Sequence, residues 1–346
     1  MAIRRKWIWS LLSLLLAVLT ISAVLSHLGE MPLRQLWETF LEADDRYIAA
    51  AAVCGALFII LEGEALRCIL RGAGFERNFA GGLLYSAADI YFSAVTPSAT
   101  GGQPACAVFM HRDRIPAGVV TAALLVNLVM YSLSIVLLGL GAAVFGFRLL
   151  YGFSPVSKVL IGIGFAVLTG LTVFFFILLR KGDTVFGTLR NIARLLHRWK
   201  LIRRLDNTLA RLDKAQKDHD LCSELMRGKS AVLMRAFALN FLQRASRIAV
   251  PMFTYLGLGG SVRQALRVFA SQCFVTIGYN CVPVPGGMGV ADYLMVDGFS
   301  DLMGFEEAIH LEVLSRSISF YICVAVSGVI VLIGSFMQRR KRRQSE

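Results

Sequence analysis

Charged residues are scarce in this sequence, and their scarcity excludes most soluble folds of its length. Only 17% of the 346 residues are charged, whereas 56% are apolar, and the mean hydropathy is +0.63. A soluble chain carries about a quarter charged residues, and a single soluble core stops growing at about 250–300 residues. So much apolar sequence needs an apolar solvent, and we therefore predict a protein embedded in a lipid bilayer.

Cysteine and histidine are few and scattered, which argues against disulfide, redox and metal chemistry. The seven cysteines are odd in number and fit neither a disulfide framework nor the spacing of a zinc site, and the five histidines are equally dispersed. We find no nucleophile–base pair, and the stretch GGMG at residues 286–289 lacks the lysine of a phosphate-binding loop. We therefore predict no metal, no cofactor, no ATP-driven step and no enzymatic activity.

Acidic residues are outnumbered, with 36 Lys and Arg against 23 Asp and Glu and a net charge of +13. In a membrane protein such an excess mostly marks cytoplasmic loops, so we predict no binding of nucleic acid. The main basic segment covers residues 180–230, and apolar residues recur at helical spacing over 189–212. We predict a basic amphipathic helix there that lies on anionic lipid. A protein partner, such as a lipid-synthesis enzyme, is the alternative.

Long uncharged stretches predict six membrane-spanning helices, because about 20 residues are needed to cross the hydrocarbon. The first stretch is either a signal peptide or a retained helix. It is longer than the roughly 7–15 apolar residues of a signal peptide and has no clear cleavage site, so we predict a retained helix. The six stretches are residues 7–29, 47 to beyond 61, 116–147, 156–179, 231–258 and 311–338.

Two further apolar segments, about 78–110 and 264–303, are interrupted by proline and glycine. Because these residues do not continue an α-helix, the backbone has to turn at membrane depth, and we predict two re-entrant helical hairpins. The glycines permit unusual backbone angles, or alternatively present amide groups to a phosphate. The predicted turn residues are Pro97, Gly101 and Gly102 in the first hairpin, and Pro283, Pro285, Gly286, Gly287 and Gly289 in the second.

The two halves of the chain have the same order of elements. Pro97 and Pro285 are 188 residues apart, and Asn127 and Arg316 are 189 apart. Basic residues place both termini and the 180–230 segment in the cytoplasm, so the first hairpin opens inward and the second outward. This is an inverted-topology repeat, with chance recurrence as the alternative. Residues 1–179 then hold the first repeat and the start of the second at span four, 231–338 hold the remainder, and 339–346 form a basic tail.

Three motifs together resemble the flippase-type membrane domain of the lysylphosphatidylglycerol synthase family, which includes the multiple peptide resistance factor proteins. They are TPSATGGQP at residues 96–104, RIP at 114–116 and PVPGGMGV at 283–290. The resemblance implies translocation of a membrane lipid, with aminoacylated phosphatidylglycerol as the best-known cargo. Family members usually carry Glu at the position of Asp292 and often Arg at that of Asn127. Because the sequence stops at Glu346, we expect the soluble aminoacyl-transferase domain to be missing.

Arginines inside apolar spans are the first candidates for lipid binding. Arg244 lies about 13 residues into its span, and Arg247 lies one turn further. A charge at that depth costs about 2.5–3.5 kcal/mol on insertion scales, so it should face a cavity or a partner. The pair either binds a lipid phosphate through guanidinium forks or forms structural ion pairs with Glu62, Glu64 or Glu312.

Carboxylates form the second group of candidates. Asp89 and Asp292 lie in or beside the hairpins, where they either bind an amine or cap a broken helix. Glu312 and Arg316 have the i,i+4 spacing of a local salt bridge, although Arg316 is also a phosphate candidate. The group formed by Glu62, Glu64 and Arg67 is either interfacial or a counter-charge for a cationic headgroup. All of these charges lie within or next to predicted spans.

We therefore predict an all-α integral membrane protein of a bacterial-type inner membrane, with six transmembrane helices, two re-entrant helical hairpins in an inverted repeat, and both termini in the cytoplasm. It should move a polar lipid, most simply a phospholipid, between leaflets. Two alternatives stay open, namely an intramembrane enzyme that modifies a lipid and a scaffold that binds lipid without transporting it.

Overall fold

A computed structural model of the chain describes residues 40, 42–96, 101–180, 182–198, 205–226, 228–280, 282, 284 and 287–344. Within these residues the secondary structure is helical, without a β-strand. The helices are α1 Asp45–Gly72, α2 Phe79–Val95, α3 Gly102–Arg112, α4 Ala117–Gly146, α5 Pro155–Arg180, α6 Gly182–Arg198, α7 Leu205–Met226, α8 Ser230–Gly257, α9 Val262–Asn280, α10 Val290–Met303, α11 Phe305–Arg316 and α12 Cys323–Gln344. A 3-10 turn, Phe147–Tyr151, follows α4, and a π-helical turn, Ser317–Ile322, joins α11 to α12.

Within the described ranges, four helical segments are long and apolar enough to cross a membrane, which confirms an all-helical membrane protein. They are Asp45–Gly72, Ala117–Tyr151, Pro155–Phe174 and Phe305–Gln338, and they match the second, third, fourth and sixth predicted spans. The predicted fifth span forms α8, a helix of 28 residues that carries three arginines and is not among these four. The predicted first span, at residues 7–29, lies outside the described residues. The count of six spans therefore stays a prediction.

The helix starts follow from local sequence. The side chain of Asp44 accepts a hydrogen bond from the backbone N–H of Arg46 at 2.9 Å, at the start of α1. Asn78 does the same for Gly81 at 3.0 Å, at the start of α2. Helix α4 begins directly after Pro116, whose φ of −57° already suits a helix. Asp44 and Asn78 therefore each satisfy one of the unpaired backbone N–H groups at a helix start.

Helices α1 and α8 form an antiparallel pair at the centre of the fold. At one end the N–H of Asp44 donates to the carbonyl of Gly257 at 2.9 Å. At the other end Gly72 lies against Val232. The two helices are thus in contact along their length, and α2, α4, α9, α11 and α12 each pack on one or both of them.

Each segment that proline and glycine interrupt folds as two helices packed on each other, α2 with α3 and α9 with α10. At the first break the N–H of Gly101 donates to Thr96 Oγ1 at 2.9 Å. At the second, Gly289 has a φ of +76° that only glycine adopts at low cost. The predicted helix–break–helix pattern is present, whereas its re-entrant character stays a prediction. Pro97, Pro283, Pro285 and Gly286 lie outside the described residues.

Glycines let α1 and α2 approach closely. A Cβ atom on Gly63 would lie 2.8 Å from the carbonyl carbon of Gly82, so a larger residue would push the helices apart. Four residues after Gly82 on α2, the hydroxyl of Ser86 donates a hydrogen bond to the carbonyl of Ile59 at 2.7 Å, and Ile59 lies four residues before Gly63 on α1. The residue numbers fall on one helix as they rise on the other, and α1 and α2 are therefore antiparallel.

The predicted helix at 189–212 is wrong in one respect, because its described residues belong to two helices, α6 and α7. The guanidinium of Arg190 lies 2.8 Å from a carboxylate oxygen of Asp213. In one straight helix, 23 residues would separate them by about 34 Å at 1.5 Å per residue. The two helices pack on each other, and α7 also packs on α4. The proposed contact with anionic lipid stays a prediction.

Candidate functional site

A cavity of about 540 Å³ lies where the two broken helix pairs meet. Ser93 and Gln103 contribute to its wall from the tip of the α2–α3 pair, and Tyr279 and Gly287 contribute from the tip of the α9–α10 pair. Helices α1, α4, α8 and α12 and the π-helical turn supply the rest of its described wall. This volume falls within the roughly 300–1,000 Å³ of small-ligand sites, so the cavity is large enough for a lipid headgroup.

Arg244 and Arg247 bring positive charge into this cavity from α8. The Arg244 guanidinium lies 4.0 Å from the ring centroid of Tyr131 and 5.2 Å from that of Phe58, and Arg247 lies 4.9 Å from the Phe58 ring. Among the described residues neither arginine forms an ion pair with a carboxylate, and the buried Nε of Arg244 has no hydrogen-bond partner. Aromatic faces stabilise these cations without neutralising them, and an anion can still bind.

Glu62 and Asp89 contribute two carboxyl groups to the same cavity. The two carboxyl groups lie close enough to interact with each other, and Asp89 also interacts with Ser93. Glu62 is only 4% exposed and accepts a hydrogen bond from Gln243 Nε2 at 2.9 Å. Helical side chains lean toward the N-terminus of their own helix, and α1 and α2 are antiparallel. The two side chains therefore lean toward each other across the helix contact.

A second charged cluster joins α10 to α11. Arg316 is 3% exposed, and its Nε lies 2.7 Å from Asp292 Oδ1. The Glu312 carboxyl group lies close to that of Asp292. Asp292 also caps α10, since its Oδ2 accepts the N–H of Gly289 at 2.7 Å. The predicted local salt bridge between Glu312 and Arg316 is therefore replaced by a bridge to Asp292, because the packing of α10 on α11 brings that carboxylate nearer.

The three predicted arginines all border one small void, but only two of them line the large cavity. Arg244 and Arg247 line the large cavity, whereas Arg316 lies behind it. A void of about 10 Å³ separates the three guanidinium groups, which is space for roughly one water molecule. The fourth arginine among the predicted site residues, Arg67, is absent from the described cavity wall. Its side chain pairs with Glu64, and its Nε donates to the carbonyl of Arg77 at 3.0 Å.

Several neutral polar residues of this site are absent from the sequence-based set. The hydroxyl of Tyr131 on α4 donates to Asn280 Oδ1 at 2.7 Å, which ties α4 to the tip of the second helix pair. The Asn240 amide donates to Asn127 Oδ1 at 3.0 Å. Amide side chains in the middle of apolar runs are the signal that would have pointed to them.

Comparison with known protein families identifies the family of this chain. The family model described as the lysylphosphatidylglycerol synthase TM region matches residues 8–327. The match includes both broken helix pairs, and it confirms the resemblance that their motifs predicted. Comparison with curated proteins gave no significant match, and neither did comparison with solved structures.

Proposed function

The chain belongs to the family of lysylphosphatidylglycerol synthase TM regions, and from this premise we propose that it moves a polar phospholipid between the two leaflets of a bilayer. The family associates the chain with membrane lipids, and its described helices are those of a membrane protein. Transport of a lipid, and not its chemical modification, is the function that the cavity supports best.

The observation that carries this proposal is the cavity itself. Two arginines line it within an otherwise apolar set of helices, and among the described residues no carboxylate forms an ion pair with either. Charges inside a membrane are costly and usually mark a pathway for a polar substrate. A phosphodiester headgroup, which carries one negative charge, would offset one of these charges and accept hydrogen bonds from the guanidinium groups.

The position of the cavity supports transport. In many transporters the substrate lies near the bilayer midplane, between broken helices of two inverted repeats. Here the tips of both broken helix pairs border the cavity. A headgroup at this point would be reachable from either leaflet after a modest movement of one pair against the other. We place the two pairs on opposite sides of an inner membrane.

The packing pattern supports the inverted repeat. Helix α1 packs on α2 as α8 packs on α9, and α2 packs on α12 as α9 packs on α4. The central α1–α8 pair relates the two sets. Residues 7–29 would complete six spans, with both termini and the α6–α7 pair in the cytoplasm. The basic α6–α7 pair would then face the anionic surface of the inner leaflet.

Single-cysteine labelling tests this topology. In a background without native cysteines, positions near Glu38 and Asp301 should react with a membrane-impermeant thiol reagent from outside. Positions near Lys214 and Arg340 should react only after the membrane is opened. Charge distribution is the reason, because basic loops stay in the cytoplasm. Labelling of Glu38 and Asp301 from opposite sides would contradict the inverted repeat.

Leaflet exchange in vesicles tests the function. The purified protein should let an impermeant reductant bleach fluorescent phosphatidylglycerol that starts in the inner leaflet, whereas protein-free vesicles should protect that lipid. Binding of lipid without exchange would favour a scaffold. A changed headgroup in the recovered lipid would favour an enzyme, and either result would contradict the proposal.

A further inference from the structure

The small void between the guanidinium groups of Arg244, Arg247 and Arg316 has features of an ion-binding site of its own. Its volume of about 10 Å³ is enough for one particle of about the size of water, but not for a polyatomic anion such as phosphate. Helices α8, α9, α10 and α11 and the π-helical turn supply its described wall. The void borders the large cavity through two arginines, and it is too small for the lipid headgroup.

The charged groups that line this void are all positive within the part of the chain that the structure describes. Arg316 is paired with Asp292, which does not line the void, and the carboxyl groups of the large cavity do not line it either. Like charges repel more strongly inside a protein than in water, because the effective dielectric constant is lower. Three guanidinium groups around one space therefore favour an anion over a neutral water molecule.

Unpaired hydrogen-bond donors at the void indicate the same kind of ligand. Arg316 is 3% exposed and Arg244 is 9% exposed, yet Nη2 of the first and Nε of the second have no hydrogen-bond partner among the described residues. Gln272 also lines the void, and its amide can turn to present its N–H groups. Buried donors without a partner are costly, so this wall favours a ligand that accepts several hydrogen bonds.

We propose that the void binds one monatomic anion, chloride, between Arg244, Arg247 and Arg316. Chloride is only somewhat larger than water, and the half-buried side chain of Arg247 can yield to it. The ion accepts hydrogen bonds from guanidinium groups of α8 and α11 and thereby holds the two helices together beside the large cavity. This site goes beyond the proposed function, because its occupancy does not require that lipid moves.

Equilibrium dialysis of the detergent-purified protein against radioactive chloride tests the proposal. We expect saturable binding of about one chloride ion per chain. The unfolding temperature should be higher in sodium chloride than in sodium gluconate at equal ionic strength, because gluconate is too large for the void and only the folded chain has the site. Absence of saturable chloride binding would mean that the void holds water, and it would overturn the proposal.

Bromide locates the bound ion. It has the same charge as chloride and a similar size, and its anomalous scattering marks its position in crystals of the protein. We expect a bromide peak between the guanidinium groups of Arg244 and Arg316. Bromide peaks only at other places would overturn the assignment to this void.

A carboxylate built into the wall should take the place of the ion. Gln272→Glu should bind no chloride and should unfold at the same temperature in both salts. Gln264→Glu is the matched control, because it makes the same change about two turns earlier on α9, where Gln264 donates to the carbonyl of Leu302 outside the described wall of the void. The control should still bind about one chloride ion. Undiminished chloride binding by Gln272→Glu would overturn the proposal.

Arg247→Gln provides a second test if Gln272→Glu does not fold. It removes one positive charge from the wall at the least buried of the three arginines. Because hydrogen bonds to charged groups are the stronger ones, chloride should bind at least about tenfold more weakly. Parental chloride affinity in this variant would contradict the proposed site.

Short-chain phosphatidylglycerol separates the anion site from the lipid site. Chloride should stay bound when this lipid saturates the protein, because the void is too small for the headgroup. Complete displacement of chloride by the lipid would show that a headgroup oxygen enters the void, and it would overturn the proposal. Absence of leaflet exchange would overturn only the proposed function, since chloride binding is measured without it.

Discussion

Replacing Arg244 with alanine should abolish lipid exchange while leaving the protein folded. Its guanidinium lies 4.0 Å from the Tyr131 ring centroid and forms no ion pair among the described residues, so its removal breaks no direct salt bridge. Hydrogen bonds to a charged group contribute about 1.5–3 kcal/mol, and phosphatidylglycerol should therefore bind about 10- to 150-fold more weakly. Binding and exchange by the purified variant measure this loss.

Arg244→Lys separates charge from geometry. Lysine keeps the positive charge but loses the planar fork, so this variant should bind lipid more weakly than the parent and more tightly than Arg244→Ala. The matched control is Arg235→Ala, which removes an exposed arginine from the same helix and should leave exchange unchanged. If Arg244→Ala exchanges lipid at the parental rate, the arginine has a structural role and the binding hypothesis is wrong.

Arg316 gives the contrasting case. It is buried with Asp292, and breaking a buried pair by removing one partner costs about 3–5 kcal/mol. Its substitution should therefore reduce stability first, and any loss of exchange would follow from that. The difference between Arg244 and Arg316 arises because only Arg244 lacks a carboxylate partner in the described part of the chain.

The sequence predicts the parts of this site that are energetically expensive. Arg244 and Arg247 stand out because a charge in an apolar span needs compensation, and the structure places both on the cavity. The broken helix pairs stand out because proline and glycine cannot continue a helix. These signals depend only on local composition and spacing, and for that reason they can be read without a structure.

Other parts depend on how helices meet, which local patterns do not encode. Gln243 and Tyr131 are neutral and change the apolar pattern little, yet both bond to residues of the site. The contact of Glu62 with Asp89 requires the register of α1 on α2, which Gly63 and Gly82 set by their close approach. Asp292 likewise replaces Glu312 as the partner of Arg316 only because two helices pack together.

Replacing Gly102 with alanine should strongly reduce both stability and lipid exchange, because the added methyl group has no room beside the cavity. Gly102 begins α3, and a Cβ atom there would overlap the Ser93 hydroxyl and a carboxylate oxygen of Asp89. The methyl group would push Asp89 away from Glu62 and force α2 from α3. Overpacking of this kind typically costs about 1–3 kcal/mol. We expect lower thermal stability in detergent and loss of lipid exchange.

Gly141→Ala is the control for this substitution. Gly141 lies within α4, and a Cβ atom there would have no neighbour within 4 Å. Alanine in a helix interior is more favourable than glycine by about 0.5–1 kcal/mol, so this variant should unfold at the parental temperature or slightly above it and keep full exchange. Parental stability and exchange in Gly102→Ala would mean that Ser93 and Asp89 can move without consequence. The precise position of Asp89 beside Ser93 and Glu62 would then be unnecessary for transport.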